Sequence, residues 1–318
     1  MPKQKPVLAI TMGDPGGIGP EVICKALKGH VFKKSLNYAV IGSRAAFNAL
    51  ESHMKLKLPA RSVSFHETGD EDFDLAAESA SNGRLAIKAI AIAADLANRG
   101  FIQGIVTGPL NKASARLAEP GFVGHTEFFA RASGASKFAM MFVGPKLKLT
   151  LATIHVPLRK VSELLTADLI FDKIFLTDEA LRRDHGIKKP RIAVCALNPH
   201  GRETGEEEDR VILPAIHRAV KAGMNVTGPH PADQIFYPAY QGEYDALIGM
   251  YHDQALAPFK MVSFHDGVNV TLGLPYVRTS PDHGTAFDIA WQKKGKADPS
   301  SMKAALVLAE RLVLARYA

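Results

Sequence analysis

Cysteine is scarce: only Cys24 and Cys195 occur in 318 residues, far apart and each in apolar company. That excludes a disulfide framework and reads as two buried thiols in a reduced, cytoplasmic protein. Long apolar runs are also missing. No stretch reaches the roughly 18 consecutive apolar residues that mark a membrane span, so no membrane partner is expected. The leading Met-Pro-Lys-Gln-Lys-Pro passes straight into a strand of about four apolar residues, too short for a signal-peptide core. A concentrated basic block is lacking as well. The net charge is +7, which suits an anionic partner. Yet the cations are scattered or merely paired, as at Lys188-Lys189 and Lys293-Lys294, and the aromatics, 8% of the chain, do not alternate with them. Nucleic acid is therefore not the expected partner; a small anionic molecule is. Internal repeats and low-complexity tracts are absent too.

What is present is an ordinary globular composition, 47% hydrophobic and 22% charged, long enough for two domains with a large core. Short apolar runs at 7–11, 36–42, 62–66 and 104–109 read as strands. They alternate with helical patterns at 22–27, 44–54, 82–98 and 111–117, which predicts a parallel sheet covered by helices. Gly124-His-Thr-Glu127 starts a further helix that Thr126 can cap. Gly144-Pro145-Lys146 separates two apolar runs, 138–143 and 147–155, as a hairpin would; this predicts a second domain with a mixed sheet. Helices over 158–165, 167–183, 206–222 and 302–315 and strands over 191–197 and 244–250 complete the pattern. The acids Glu206 to Asp209 fit the positive end of a helix and need no catalytic role.

Polar groups that could do chemistry collect in three places. After the first strand, Met12-Gly-Asp-Pro-Gly-Gly-Ile-Gly-Pro-Glu21 is either a turn offering backbone N–H groups to an anion or simply a tight turn that needs glycine. Its spacing is neither the dinucleotide fingerprint nor the P-loop. His155, His200 and His252 each follow a strand. Three such imidazoles can converge on one divalent cation, or each can serve its own loop, and spacing does not choose. Asp253 stands ready to orient His252. Finally Lys260, Asn269 and Arg278 are polar residues in apolar strand or loop contexts, suited to phosphate or carboxylate. His283-Gly284-Thr285 then opens an apolar run that reads as a helix.

Together these stretches resemble the 4-hydroxythreonine-4-phosphate dehydrogenases of pyridoxal phosphate biosynthesis over nearly the whole chain. The resemblance rests on 11–21, Gly124-His-Thr-Glu127, Ile154-His-Val-Pro-Leu158, Asn198-Pro-His200, Gly228-Pro-His-Pro-Ala-Asp233, Tyr251-His-Asp-Gln254 and Arg278-Thr-Ser with Asp282-His-Gly-Thr285. It implies a two-domain α/β/α fold like that of isocitrate and isopropylmalate dehydrogenases, with the active site in the interdomain cleft. Domains of 1–124 with 287–318, and of 125–286, are expected. The implied metal ligands are His155, His200 and His252, contributed by both subunits of a homodimer. The implied substrate contacts are His125, Thr126, Lys260, Asn269 and Arg278. NAD, or NADP, would meet His283 and Asp288, and Gly13 and Asp14 of the Gly-rich turn. No basic pair stands ready for a 2′-phosphate. The ion would be zinc, magnesium, manganese or cobalt, and Asp253 and Lys260 are the candidates for proton transfer. The implied reaction is oxidation and decarboxylation of 4-phosphohydroxy-L-threonine to 3-amino-2-oxopropyl phosphate. Alternatives are a related dehydrogenase of phosphorylated threonate or erythronate or of an aromatic cis-dihydrodiol carboxylate, a non-catalytic metal- or nucleotide-binding protein and, more remotely, a phosphotransacylase.

Overall fold

The structure, a computed structural model, describes residues 5–69 and 72–317, so the first four residues of the N-terminal lead lie outside it. The chain forms two compact units, Met1–Ser136 with Leu274–Ala318, and Lys137–Gly273. Residues 125–136 and 274–286 thus belong with the first unit.

The first unit begins β1 (Val7–Thr11), α1 (Gly19–Leu27), β2 (Asn37–Gly42), α2 (Arg44–Met54), β3 (Ser64–Glu67), α3 (Ala80–Asn98), β4 (Gly104–Thr107), α4 (Lys112–Ala118), α5 (His125–Ser133). The second unit holds β5 (Ala139–Val143), β6 (Lys148–Leu151), α6 (Val161–Leu164), α7 (Ala167–Arg183), β7 (Arg191–Cys195), α8 (Leu213–Lys221), β8 (Asn225–His230), α9 (Ala232–Tyr240), β9 (Ala246–Gly249), α10 (His252–Ser263) and β10 (Val268–Leu272). The chain then returns to the first unit as β11 (Val277–Pro281) and α11 (Ser300–Tyr317).

Within the first unit the strands run in the order β3-β2-β1-β4-β11, all parallel, with Ala9 beside both Ala39 and Ile105. Parallel strands are covered on both faces, which is why β1 is an unbroken apolar run rather than an alternating one. Helices α3 and α11 pack on these strands. Helix α3 starts where the Ser79 hydroxyl accepts the Asn82 N–H, a cap that satisfies an otherwise orphaned donor. Within the second unit the order is β10-β5-β6-β9-β7-β8. Its first two pairings are antiparallel and the remainder parallel, the mixed sheet that the hairpin signal predicts. Leu149, Leu151, Ala193, Leu247 and Phe259 form its core.

Several local expectations are corrected. No helix opens at His283: residues 284–286 are irregular and 287–291 form turns, because Ala286 and Trp291 adopt φ of 44° and 60°, a left-handed backbone that a helix excludes. The strand before His155 ends at Leu151, so that histidine lies in the following turn. Lys260 is on α10, not on a strand or loop. The 158–165 region is a turn of 3-10 helix followed by the short α6, and the 206–222 helix opens with a π turn over Glu208–Ile212. Unexpected elements are β8 and α9, besides α10. The first carries Gly-Pro and is tolerated at the end of the strand order, where one ladder is free; the second contains Pro238. Among the described residues, no helix is long and apolar enough to cross a membrane.

Candidate active site

Within the first unit, the carboxyl end of β4 and the start of β11 meet at a cationic corner. Arg278 on β11 is 2% exposed. Its Nη2 donates to the Thr107 hydroxyl at 2.6 Å, and its guanidinium lies 6.0 Å from the Phe129 ring centroid. Burial pulls its pKa down to about 10, against the opposing pull of Glu127 and Tyr276. His125, the first residue of α5, stacks parallel to Phe129 at 6.4 Å. Its buried Nε2 has no hydrogen-bond partner among the described residues. Burial, with the charges of Arg278 and Lys112, pushes its pKa well below the usual histidine value, so the ring is neutral at physiological pH. Thr126 is buried but does not cap the helix; the N-cap is Gly124, with no side-chain cap bond. A Cβ on Gly124 would come within 2.8 Å of a Glu127 carboxylate oxygen. The uncapped first turn therefore offers N–H groups to an anion beside Arg278 and His125. Lys112 and Thr107 were not picked out by sequence reading. The available signal was their position just beyond a parallel strand's carboxyl end.

The Gly-rich turn also lies in the first unit. Gly13 has φ 76°, and a Cβ there would fall 2.2 Å from the Pro109 carbonyl, so only glycine fits. Asp14 is fully buried and accepts the Gly16 N–H at 2.9 Å. The turn is tied to the 283–291 loop: the Ile18 N–H donates to the Thr285 carbonyl at 2.9 Å, and the Trp291 indole N–H donates to the Pro15 carbonyl at 3.0 Å. A Cβ at Gly17 would meet Thr285 at 2.9 Å. The structure thus joins the segments carrying Gly13, Asp14, His283 and Asp288. The His283 Nε2 is buried without a hydrogen-bond partner among the described residues, whereas Asp288 is exposed.

Burial raises the Asp14 pKa to about 6, against the N–H groups of Gly16 and Gly17 and the Ser114 hydroxyl. A raised folded-state value means the stabilisation is complete below the unfolded pKa and is lost as pH climbs through about 6. Asp14→Asn keeps an oxygen for Gly16 but removes the titration. The variant is expected to gain up to about 3 kcal/mol on the wild type between pH 4 and pH 8. Urea midpoints across that range measure this; a difference that does not vary with pH would refute it.

Within the second unit, His155 and His252 come together, ring centroids 5.7 Å apart and planes tilted by 44°. His252 is the first residue of α10, and its Nδ1 is 2.7 Å from an Asp253 carboxylate oxygen. That contact fixes a tautomer and leaves Nε2 for a ligand. The Asp253 side chain is 88% exposed, which suits orienting the ring more than holding a proton away from water. His200 sits in the loop after β7 with a left-handed backbone, φ 58°. Among the described residues of one chain, no three His, Cys, Asp or Glu side chains group to hold an ion. Lys260 lies further along α10, its ammonium 5.9 Å from the Phe264 ring centroid. Asn269 on β10 pairs with Phe142; its Oδ1 is buried and unpartnered among the described residues, a donor-seeking oxygen.

The family model of the pyridoxal phosphate biosynthetic protein PdxA matches residues 22–309. The chain belongs to the PdxA family. It is 43% identical to a 4-hydroxythreonine-4-phosphate dehydrogenase of Desulforapulum autotrophicum, covering 97% of this chain and 96% of that one. It is 41% identical to a D-threonate 4-phosphate dehydrogenase of Salmonella typhimurium, covering 96% and 98%. The solved structure of 4-hydroxythreonine-4-phosphate dehydrogenase from Klebsiella pneumoniae has a TM-score of 0.86 at 36% identity, covering 97% of this chain and 99% of its own. The PdxA relatives are thus named dehydrogenases of phosphorylated four-carbon acids. Identities of 43% and 41% do not separate the two substrates. In this PdxA chain Thr107 ends β4, His125 opens α5 and His252 opens α10, positions from which a side chain can face a ligand.

Proposed function

We propose that this PdxA chain is a divalent-metal- and NAD-dependent dehydrogenase that oxidises 4-phosphohydroxy-L-threonine at C3 and releases its carboxyl group as carbon dioxide. The observation that carries the reading is the cationic corner: Arg278 and Lys112 beside a neutral His125 whose Nε2 has no hydrogen-bond partner among the described residues. Those groups, with the N–H groups opening α5, suit a phosphate.

The metal reading is supported by the donor set. His155 and His252 are adjacent, and Asp253 fixes the His252 ring. They would hold the ion together with His200, and imidazole donors fit zinc or cobalt better than magnesium. Bound there, a divalent cation supplies Lewis-acid polarisation of the substrate hydroxyl and of the developing enolate oxygen. The Gly13–Asp14 turn and the His283–Asp288 loop would hold NAD, which would supply the hydride acceptor for C3. The protein's own part is to orient and to move protons. Lys260 takes the hydroxyl proton and returns one to C2 once carbon dioxide has left. Asn269 Oδ1 accepts from a substrate donor, and Arg278 and His125 keep the phosphate in place so that C3 alone is presented. A homodimer with shared sites follows from the resemblance.

A phosphorylated D-threonate is the second reading, favoured by the 41% identity to the enzyme of that name. It differs at C2, where a hydroxyl replaces the amine. NADH formation with each substrate, with and without chelator and with NAD or NADP, tests both. The expected result is chelator-sensitive NADH formation, fastest with 4-phosphohydroxy-L-threonine. A faster rate with phosphorylated D-threonate selects the second reading. Turnover of neither, or turnover indifferent to chelator, overturns the proposal.

A further inference from the structure

We propose that Glu208 is a positioning residue for His200, holding the Asn198–His200 loop in the one conformation that presents the imidazole. The inference rests on the reading of His200 as a metal ligand.

Glu208 opens the π turn before α8 and is fully buried. A surface acid at a helix start would face solvent; this one turns inward. Its Oε1 accepts the backbone N–H of Leu197 at 2.9 Å and of Asn198 at 2.8 Å. Its Oε2 accepts from the Asn198 side-chain amide at 3.1 Å. That same amide nitrogen donates to Glu207 at 2.9 Å. The Asn198 carbonyl in turn accepts the Gly201 N–H at 3.2 Å, and His200 sits between, at φ 58°. A left-handed histidine persists only where its surroundings over-determine it. The loop is also tied to the segment that carries His252. Gln254 donates to the Ala196 carbonyl at 2.7 Å and accepts the Met250 N–H at 2.7 Å. A π turn inside a helix often marks a functional site, and here it turns the glutamate toward the loop.

The bland reading is that Glu208 merely satisfies buried backbone donors, as any interior carboxylate must. The two readings differ in how the residue couples to His200. Glutamine cannot replace the carboxylate. Its oxygen would keep the two backbone N–H groups, but its amide would confront the Asn198 amide, donor against donor. Flipping Asn198 would then set its oxygen against Glu207. An independent perturbation is Gly205→Ala, since a Cβ there would fall 2.1 Å from the Asn198 Nδ2 and 2.8 Å from a Glu207 carboxylate oxygen.

The test is zinc affinity of the full-length protein by calorimetry, with the melting temperature in chelator as the folding control. Glu208→Gln and Gly205→Ala are each expected to weaken zinc binding by about 10- to 100-fold, the range typical of groups that orient a ligand. Both should melt cooperatively in chelator. His200→Ala should weaken binding at least as much, and adding Glu208→Gln to it should cost nothing further. If His200→Ala weakens zinc but Glu208→Gln and Gly205→Ala do not, the positioning role is wrong and the ligand reading stands. If the His200 and Glu208 losses add, Glu208 acts on the fold rather than through His200, and the inference fails. If His200→Ala leaves zinc affinity intact, the ligand reading fails and takes this inference with it. Should Glu208→Gln not fold, Gly205→Ala alone and combined with His200→Ala decides the same question.

Discussion

His252→Ala is expected to lose turnover by on the order of 10^3-fold while folding as the wild type does. A metal's stabilisation of developing charge amounts to several kcal/mol, and each 1.36 kcal/mol is tenfold in rate. The ring is 39% exposed, so its removal leaves a surface gap rather than a core cavity, and stability should barely move. Bound metal per subunit, measured after dialysis, should fall together with the rate. Asp253→Asn should cost far less, about tenfold, because an exposed asparagine can still accept the imidazole N–H and a solvated contact is weak. If His252→Ala retains a rate within threefold of wild type, the imidazole pair is not the metal's seat.

The second large effect is at Arg278, where activity and stability should move in opposite directions. Arg278→Met nearly conserves length and removes the charge. Loss of a buried charged hydrogen-bonding partner for an anion costs roughly 2–5 kcal/mol, so kcat/KM should drop about 10^2- to 10^3-fold, with inorganic phosphate losing its hold as a competitor. The ligand-free protein should nevertheless melt no lower than wild type. Burial draws the guanidinium pKa from 12.5 to about 10, a depression that is a stability penalty at neutral pH, relieved only as pH climbs past 10. Removing the charge recovers up to about 3 kcal/mol, from which about 1 kcal/mol for the lost Thr107 bond and the lost attraction of Glu127 and Tyr276 are subtracted. A variant that is both inactive and markedly destabilised would make Arg278 structural. Differential scanning calorimetry alongside steady-state kinetics separates the cases.

Much of this was legible in the chain. The starts of α2 and α7 fall where the 44–54 and 167–183 patterns begin, and the structure supplies the reason: Ser43 and Thr166 accept N–H groups from the first turn, a common helix cap. The Gly144-Pro145-Lys146 turn gave the antiparallel pair and hence the mixed sheet. The family could be read because its stretches are long and specific. What escaped is non-local. The 283–291 run is apolar enough for a helix, but its conformation is set by bonds to a turn some 270 residues earlier, Trp291 to Pro15 among them. Glu208 looked like one of four acids at a helix start, and only the path of the chain turns its carboxylate onto Leu197 and Asn198. Likewise the histidines could be listed, but which of them touch depends on the parallel pairing of β6 with β9. Lys112 carries no periodic signal and gains meaning only beside Arg278 and His125.

The first unit is discontinuous in the chain, and this orders its birth on the ribosome. Residues 137–273 emerge as a finished block, with every strand of their own sheet already synthesised. The earlier segment must wait: β11, which lies along β4, and α11, which covers both, are translated only after that block. Until then an apolar strand edge and the seat of the final helix stay open to solvent, an invitation to chaperones or to aggregation. In the nascent protein, the surface that waits for the inserted block is therefore the one that β11 and α11 close.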